Sequence, residues 1–233
     1  MRNILLWAGI AVLAFQDYFK KPVKPTRQQQ FFQTGGTSQA FIEGVESSTT
    51  QRKNTIKSYQ KVAEKIKAMF GNVSILDYGA GLGLGTEMMK EVTGGKVDSF
   101  EPYPVNWESN YPVTYTNSSS IKKKYDVIVS LNVLNVLPEE IRDNAIRSIY
   151  KNLKKGGTAF ISTRKWSGDV NAAKNFEKGP EYKSIIVLTK GQRVFQKGFD
   201  GNELVDYVYE VLGDSVDIVK SNFGANSVML IKL

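Results

Sequence analysis

"ILDYGAGLGLGT", residues 75–86, decides the fold: a short apolar run carries Asp77 near its end and is followed by glycines at 79, 81, 83 and 85. A strand that runs into a backbone stripped of side chains is where the chain turns sharply and where a ligand comes close to the main chain. Four glycines at alternate positions exceed what a turn alone requires. The spacing tests two phosphate-binding patterns. The dinucleotide fingerprint G-x-G-x-x-G needs glycine at 84 when started from Gly79, or at 86 when started from Gly81, and these positions hold Leu84 and Thr86. A Walker loop needs Gly-Lys followed by Ser or Thr, which this stretch lacks.

Working outward, "NVSILDYG" predicts a buried strand, a helix is expected from about Leu84 through "EMMKEV", and "KVDSFEP" predicts a second strand that completes a βαβ unit. Upstream, Ile56, Tyr59, Val62, Ala63, Ile66 and Met69 recur at three- and four-residue spacings, the apolar face of a helix between Gln51 and Phe70 that Gly71 ends. Downstream, "YPVTYT" reads as a third strand and "YDVIVSLNVL" as a fourth, continuously apolar as a strand covered on both faces must be. Pro138, Glu139 and Glu140 start a helix expected to reach Lys154, Lys155 and Gly156, with acids at its positive end and cations at its negative end. "GTAFISTR" follows as a fifth strand, "GNELVDYVYEVLG" as an amphipathic helix, and "SVDIVKS" with "SVMLIKL" as a closing antiparallel pair. This alternation implies an open, mostly parallel sheet with its ligand at the carboxyl ends of the strands.

Composition narrows the chemistry. Apolar content of 41% and aromatic content of 11% are globular values. The absence of cysteine and histidine excludes disulfides, thiolate or imidazole metal sites, a cysteine nucleophile and a histidine base. The net charge of +8 is split: residues 1–27 carry five basic residues against Asp17 alone, and the other 206 carry 26 basic against 22 acidic. The folded part is thus mildly basic, which permits nucleic acid as a partner without demanding it. Residues 4–15, "ILLWAGIAVLAF", are uninterrupted apolar sequence, short of the ~20 residues of a spanning helix. With Phe15, Tyr18 and Phe19 at an interface and Lys20 and Lys21 snorkelling, residues 1–21 read either as a short membrane anchor or as a helix packed on protein, with residues 4–21 contacting a membrane or an assembly partner. The charge bias places the C-terminal remainder of the chain on the cytoplasmic side. Two prolines, a glutamine run and Gly35-Gly36 make 22–40 a linker, so the expected domain is 41–233.

Asp77, Gly79, Gly81 and Gly83 spell D-x-G-x-G-x-G, and with the surrounding motif order the chain resembles the class I S-adenosylmethionine-dependent methyltransferases over roughly residues 50–233. The resemblance implies an α/β, Rossmann-like fold with a mostly parallel seven-stranded sheet flanked by helices, here with the N-terminal apolar extension, and S-adenosyl-L-methionine as cofactor. It implies cofactor contacts from Asp77, Gly79, Ala80, Gly81, Gly83, Glu101, Pro102, Asn117, Ser118 and Leu131. Glycine backbone would border the methionine portion, Asp77 would meet its ammonium directly or through water, and Glu101, 24 residues after Asp77, would accept the ribose hydroxyls. Asn117 and Ser118 would lie near the adenine amine, although "TNSSS" is also ordinary loop composition. The segments "SLNVLNVLPEE" (130–140) and "VFQKGFDGNELVDYV" (194–208) resemble those of bacterial and phage methyltransferase-like proteins, including ones associated with DNA phosphorothioation systems.

On the acceptor side, Asn132 and Asn135 are candidate substrate contacts, or else polar residues that close a strand and cap the Pro138 helix. Arg164 and Trp166 suit a flat or anionic substrate, or a polar loop with one packed aromatic. Cytosine C5 methylation through a cysteine is excluded, and "NVLN" stands where exocyclic-amine DNA methyltransferases carry [DNS]-P-P-[YFW]. Direct in-line transfer to an N, O or S atom of an unidentified acceptor is left, with no metal and no assignable catalytic residue. The alternative is a protein that keeps the fold without turnover and serves as a tethered binding or structural module.

Overall fold

The computed structural model describes residues 53–189 and 192–233. The apolar segment 4–15, the divisions 1–21 and 22–40 and the start of the expected domain lie outside the described residues, among which no helix is long and apolar enough to cross a membrane.

In chain order, α1 (Lys53–Phe70) leads into β1 (Ser74–Tyr78), α2 (Leu84–Thr93), β2 (Lys96–Phe100), β3 (Tyr125–Leu131), α3 (Glu139–Asn152) and β4 (Leu153–Thr163). An antiparallel excursion of β5 (Phe176–Lys178), β6 (Ser184–Thr189) and β7 (Gln192–Lys197) comes next, then α4 (Glu203–Leu212), β8 (Val216–Ser221) and β9 (Asn226–Lys232). The main sheet has the order β2-β1-β3-β4-β9-β8. Its first four strands are parallel and β9 runs antiparallel to both neighbours, so the closing pair reads as the sequence predicts.

Side-chain alternation divides the core between the two faces of the sheet. Leu76, Ile128, Ala159, Ile161 and Leu230 pack with Ile146 and Ile149 of α3 and Leu204 and Val208 of α4. Ile75, Val127, Val129, Phe160 and Met229 pack with Tyr59, Val62, Ala63 and Ile66 of α1 and Met89 of α2. Met69 breaks the expected apolar face of α1, for it is 49% exposed in the last turn. Ile146 is fully buried, and Ile146→Val is expected to cost about 1 kcal/mol, read as a lower urea midpoint at unchanged slope.

Two further expectations are corrected. "YPVTYT" forms no strand: it touches the sheet edge through one bridge, Phe100 to Tyr115, so among the described residues the sheet has six strands rather than seven. Hydroxyls replace the ladder there, since the Ser99 amide donates to Thr114 Oγ1 and the Thr114 amide to Ser99 Oγ, both at 3.0 Å. The helix after Pro138 stops at Asn152, and Lys154 and Lys155 belong to β4, leaving Lys151 as the cation of the last turn. Leu153 is 1% exposed; turning it into the core ends the helix before the lysine pair.

Candidate functional site

The glycine loop joins β1 to α2 at the carboxyl end of the parallel strands. Gly79, Gly81 and Gly83 have φ of 80°, 58° and 81°, the left-handed region that a side chain disfavours. Their surroundings add a steric reason. A Cβ on Gly79 would collide with the Val133 side chain, and one on Gly83 would sit 2.5 Å from Cζ2 of Trp107. Trp107 belongs to a segment folded onto the loop, where the Glu108 amide donates to Leu82 O at 2.8 Å.

Glu101 follows β2 and is 3% exposed. Its Oε2 accepts the Gly81 amide at 2.7 Å and its Oε1 accepts the Tyr103 amide at 3.1 Å. Burial raises its pKa while the two amides oppose the rise. The carboxylate is therefore tied to the glycine loop and is no solvated strand-end acid. Two of its roughly four lone-pair sites are engaged, which leaves acceptor capacity for hydroxyls.

Asp77 lies within β1, enclosed by the protein. It is 0% exposed, with Oδ1 accepting from the Tyr59 hydroxyl at 2.8 Å and Oδ2 from Thr86 Oγ1 at 2.7 Å. It lies beneath the loop and joins α1 to α2. Burial pushes its pKa up to about 7 against the two hydrogen bonds, and the charge of Glu101 adds to the rise. Tyr59 is held well above the usual phenol range by burial and by Asp77, so its hydroxyl stays a donor.

The remaining expected cofactor residues fall into two groups. Ala80 and Leu131 are buried at the strand ends, Ala80 donating its amide to Phe100 O. Pro102, Asn117 and Ser118 are exposed; Asn117 Oδ1 caps the short turn 118–120 by accepting from the Ser119 amide at 2.9 Å.

The residues expected on the acceptor side lie in the turn after β3 and at the end of β4, next to β7. Asn132 has φ of 59° and donates its amide to Ser162 O, bending the chain out of the sheet. Neither asparagine caps α3. Its N-cap is Pro138, and the first amide, Glu139 N–H, donates instead to Glu181 Oε1 at 2.9 Å. Asn135, 1% exposed, donates from Nδ2 to Gln196 Oε1 at 3.4 Å, and Arg164 Nη1 donates to the same oxygen at 3.2 Å. Arg164 also donates from Nε to both oxygens of Asp169 at 3.1 Å. Trp166 is half-buried, its backbone so close to Gly198 that a Cβ there would lie 2.7 Å from the Trp166 nitrogen. Arg164, Asn135 and Gln196 thus form one polar cluster, with Trp166 held against the adjoining strand.

Sequence reasoning missed Tyr59, which it counted only as an apolar position, and also Thr86, Trp107 and Gln196. Thr86 directly adjoins the last glycine of the loop, a visible signal, whereas nothing local marked the other partners.

A Rossmann-like sheet with a glycine loop tied to a buried acid at the next strand end defines a class of nucleotide-cofactor enzyme. A profile of the methyltransferase domain family matches residues 49–185, and the chain belongs to this family of S-adenosylmethionine-dependent methyltransferases. Among solved structures, DesVI of Streptomyces venezuelae superposes with a TM-score of 0.54 at 12% identity, covering 76% of this chain and 92% of that one. CalS10, an amino pentose methyltransferase from Micromonospora echinaspora, gives 0.54 at 11% identity over 89% and 98%. The glycopeptide N-methyltransferase MtfA gives 0.53 at 14% identity over 76% and 93%. Identities this low establish a shared fold. Comparison with curated proteins finds no sequence match. None of these matches bears on the narrower resemblance to phosphorothioation-associated proteins.

Proposed function

We propose that the chain binds S-adenosylmethionine on the glycine loop and directs in-line methyl transfer to an N, O or S acceptor. The observation that carries the reading is the Glu101 carboxylate, buried at the end of β2 and bonded to the Gly81 amide at 2.7 Å. Bound S-adenosylmethionine supplies an electrophilic methyl group on a sulfonium. Gly79, Ala80, Gly81 and Gly83 offer backbone to the methionine portion, Glu101 holds the ribose hydroxyls, and Pro102, Leu131, Asn117 and Ser118 border the adenosine end. Asp77 acts from below, fixing the loop through Tyr59 and Thr86 instead of touching the ligand. The small sheet and the 132–136 turn cover the acceptor side, so the chain contributes mainly by positioning and by excluding water. The segment at residues 4–21 is proposed to tether the enzyme to a membrane or an assembly, with the catalytic domain on the cytoplasmic side.

Calorimetry of the full chain with S-adenosylmethionine and S-adenosylhomocysteine tests the reading. Binding in the micromolar range is expected, as is its loss in Gly83→Ala, where the new methyl displaces Trp107 from the loop. A folded wild-type chain that binds neither ligand refutes it and leaves the non-catalytic module.

A further inference from the structure

Among the described residues, three buried side-chain polar atoms lack a hydrogen-bond partner: Ser130 Oγ, Asn135 Oδ1 and Arg142 Nε. The first two belong to one stretch, the end of β3 and the turn after it, beside the glycine loop that Val133 touches. Buried polar groups are nearly always satisfied, so two orphans in one short stretch call for an explanation in function.

The orientation of the Asn135 amide is dictated by its neighbours. Gln196 Oε1 accepts from Arg164, which can only donate, and Arg164 is itself fixed by Asp169. The Asn135 atom facing that oxygen must therefore be the donor Nδ2, at 3.4 Å. Flipping the amide would set oxygen against oxygen. The polarity of the cluster, from Asp169 through Arg164 and Gln196 to Asn135, thus ends in an acceptor, Oδ1, that no described residue satisfies. The group that completes it must be a donor.

On the reading that this fold transfers methyl groups, we infer that Asn135 Oδ1 receives the N–H of the methyl acceptor, and that the acceptor is a primary or secondary amine. A carboxylate, a thiolate or a tertiary amine brings no hydrogen to this oxygen and would leave it buried and unpaired. An alcohol brings one, yet needs a base to remove it during transfer, and a neutral amide is no base. A neutral amine needs none. Its lone pair forms the new N–C bond as the electrons of the breaking C–S bond return to sulfur, leaving neutral S-adenosylhomocysteine and a methylated ammonium. The nitrogen keeps its hydrogen on Oδ1 through the transfer and sheds the excess proton to water after release. Asn135 is 1% exposed, so the N–H that pairs with Oδ1 is shielded from bulk water, while the Asn135–Gln196 bond holds the amide in the orientation this contact needs.

The test uses the full chain with S-adenosylmethionine and a matched benzyl and aliphatic series differing only in the acceptor group: primary, secondary and tertiary amine, alcohol, thiol and carboxylate. Release of S-adenosylhomocysteine is followed by mass spectrometry. Turnover is expected with the N–H amines alone, rising with pH as the amine loses its proton. Asn135→Leu is expected to lower kcat/KM roughly 10- to 100-fold, to leave S-adenosylmethionine affinity unchanged, and to melt no lower than wild type, because an unpaired acceptor has been removed. Transfer to the tertiary amine, alcohol, thiol or carboxylate overturns the inference. So does the absence of transfer to any amine by a chain that binds S-adenosylmethionine, or a melting temperature of Asn135→Leu lowered by several degrees, which would make the amide structural. A chain that binds no S-adenosylmethionine refutes the underlying functional reading instead.

Discussion

Glu101→Ala is expected to weaken S-adenosylmethionine binding at least ~100-fold. A carboxylate accepting two hydroxyls makes two charge-assisted hydrogen bonds, each worth about 1.5–3 kcal/mol. The same substitution strips the Gly81 and Tyr103 amides of their acceptor, so the loop loses its preset shape together with the ligand contact. Glu101→Gln separates the two effects. Its carbonyl oxygen can still take the Gly81 amide, but its NH2 group meets the Tyr103 amide as donor against donor. Calorimetry should rank affinity wild type, then Gln, then Ala, while thermal melting distinguishes Gln from wild type only slightly. Equal affinity in all three would remove Glu101 from the cofactor site.

Asp77→Asn is expected to stabilise the ligand-free protein at pH 8 and to do so much less at pH 5. The folded pKa of about 7 lies above the ordinary carboxyl value of 3.8. The folded state therefore binds a proton that the unfolded state has released between these values. The contribution to stability is full below pH 4, declines as pH rises toward 7, and is lost above it. The contribution lost is roughly 4 kcal/mol at pH 8 and roughly 1.6 kcal/mol at pH 5, so the two conditions differ by roughly 3 kcal/mol, on the order of 10 °C in melting temperature for a domain of this size. An asparagine removes the titration while its oxygen and NH2 group still pair with the two hydroxyls, since a hydroxyl can accept as well as donate. Melting curves of both proteins at pH 5 and pH 8 decide the matter, and parallel displacement at the two pH values would disprove it.

The main sheet was legible because each of its elements declares itself locally. The glycine run, the apolar "YDVIVSL" and the Pro-Glu-Glu helix start each combine a periodicity with a punctuation mark. The β5–β7 sheet was not, and the reason is physical. Its first strand, "FEK", is three exposed residues, and its pairing comes from β6 across a turn in which Lys183 adopts φ of 54° without glycine. "YPVTYT" misled in the opposite direction: its alternation is strand-like, but Pro112 brings no amide and Ser99 and Thr114 pair through hydroxyls. The site divides in the same way. The place of Glu101 beside the glycine loop was readable from the βαβ unit, whereas one partner of Asp77 is Tyr59, 18 residues earlier on another helix. Asn135 could be named as a substrate contact or a strand-closing residue but not oriented, since its orientation depends on Gln196, 61 residues on.

The hydroxyl-paired margin of β2 bears on how the protein behaves in company. An outer strand with free amides and carbonyls is a template on which a second chain can add its own strand, the first step toward filaments. Here the Ser99 amide is occupied by Thr114, the Ser99 carbonyl by the Tyr115 amide, and the Glu101 amide by the Tyr115 carbonyl at 3.0 Å. At the end of β2 the coil occupies these groups without presenting a fresh regular edge of its own, so it works there as a selvedge that hinders a further strand from adding.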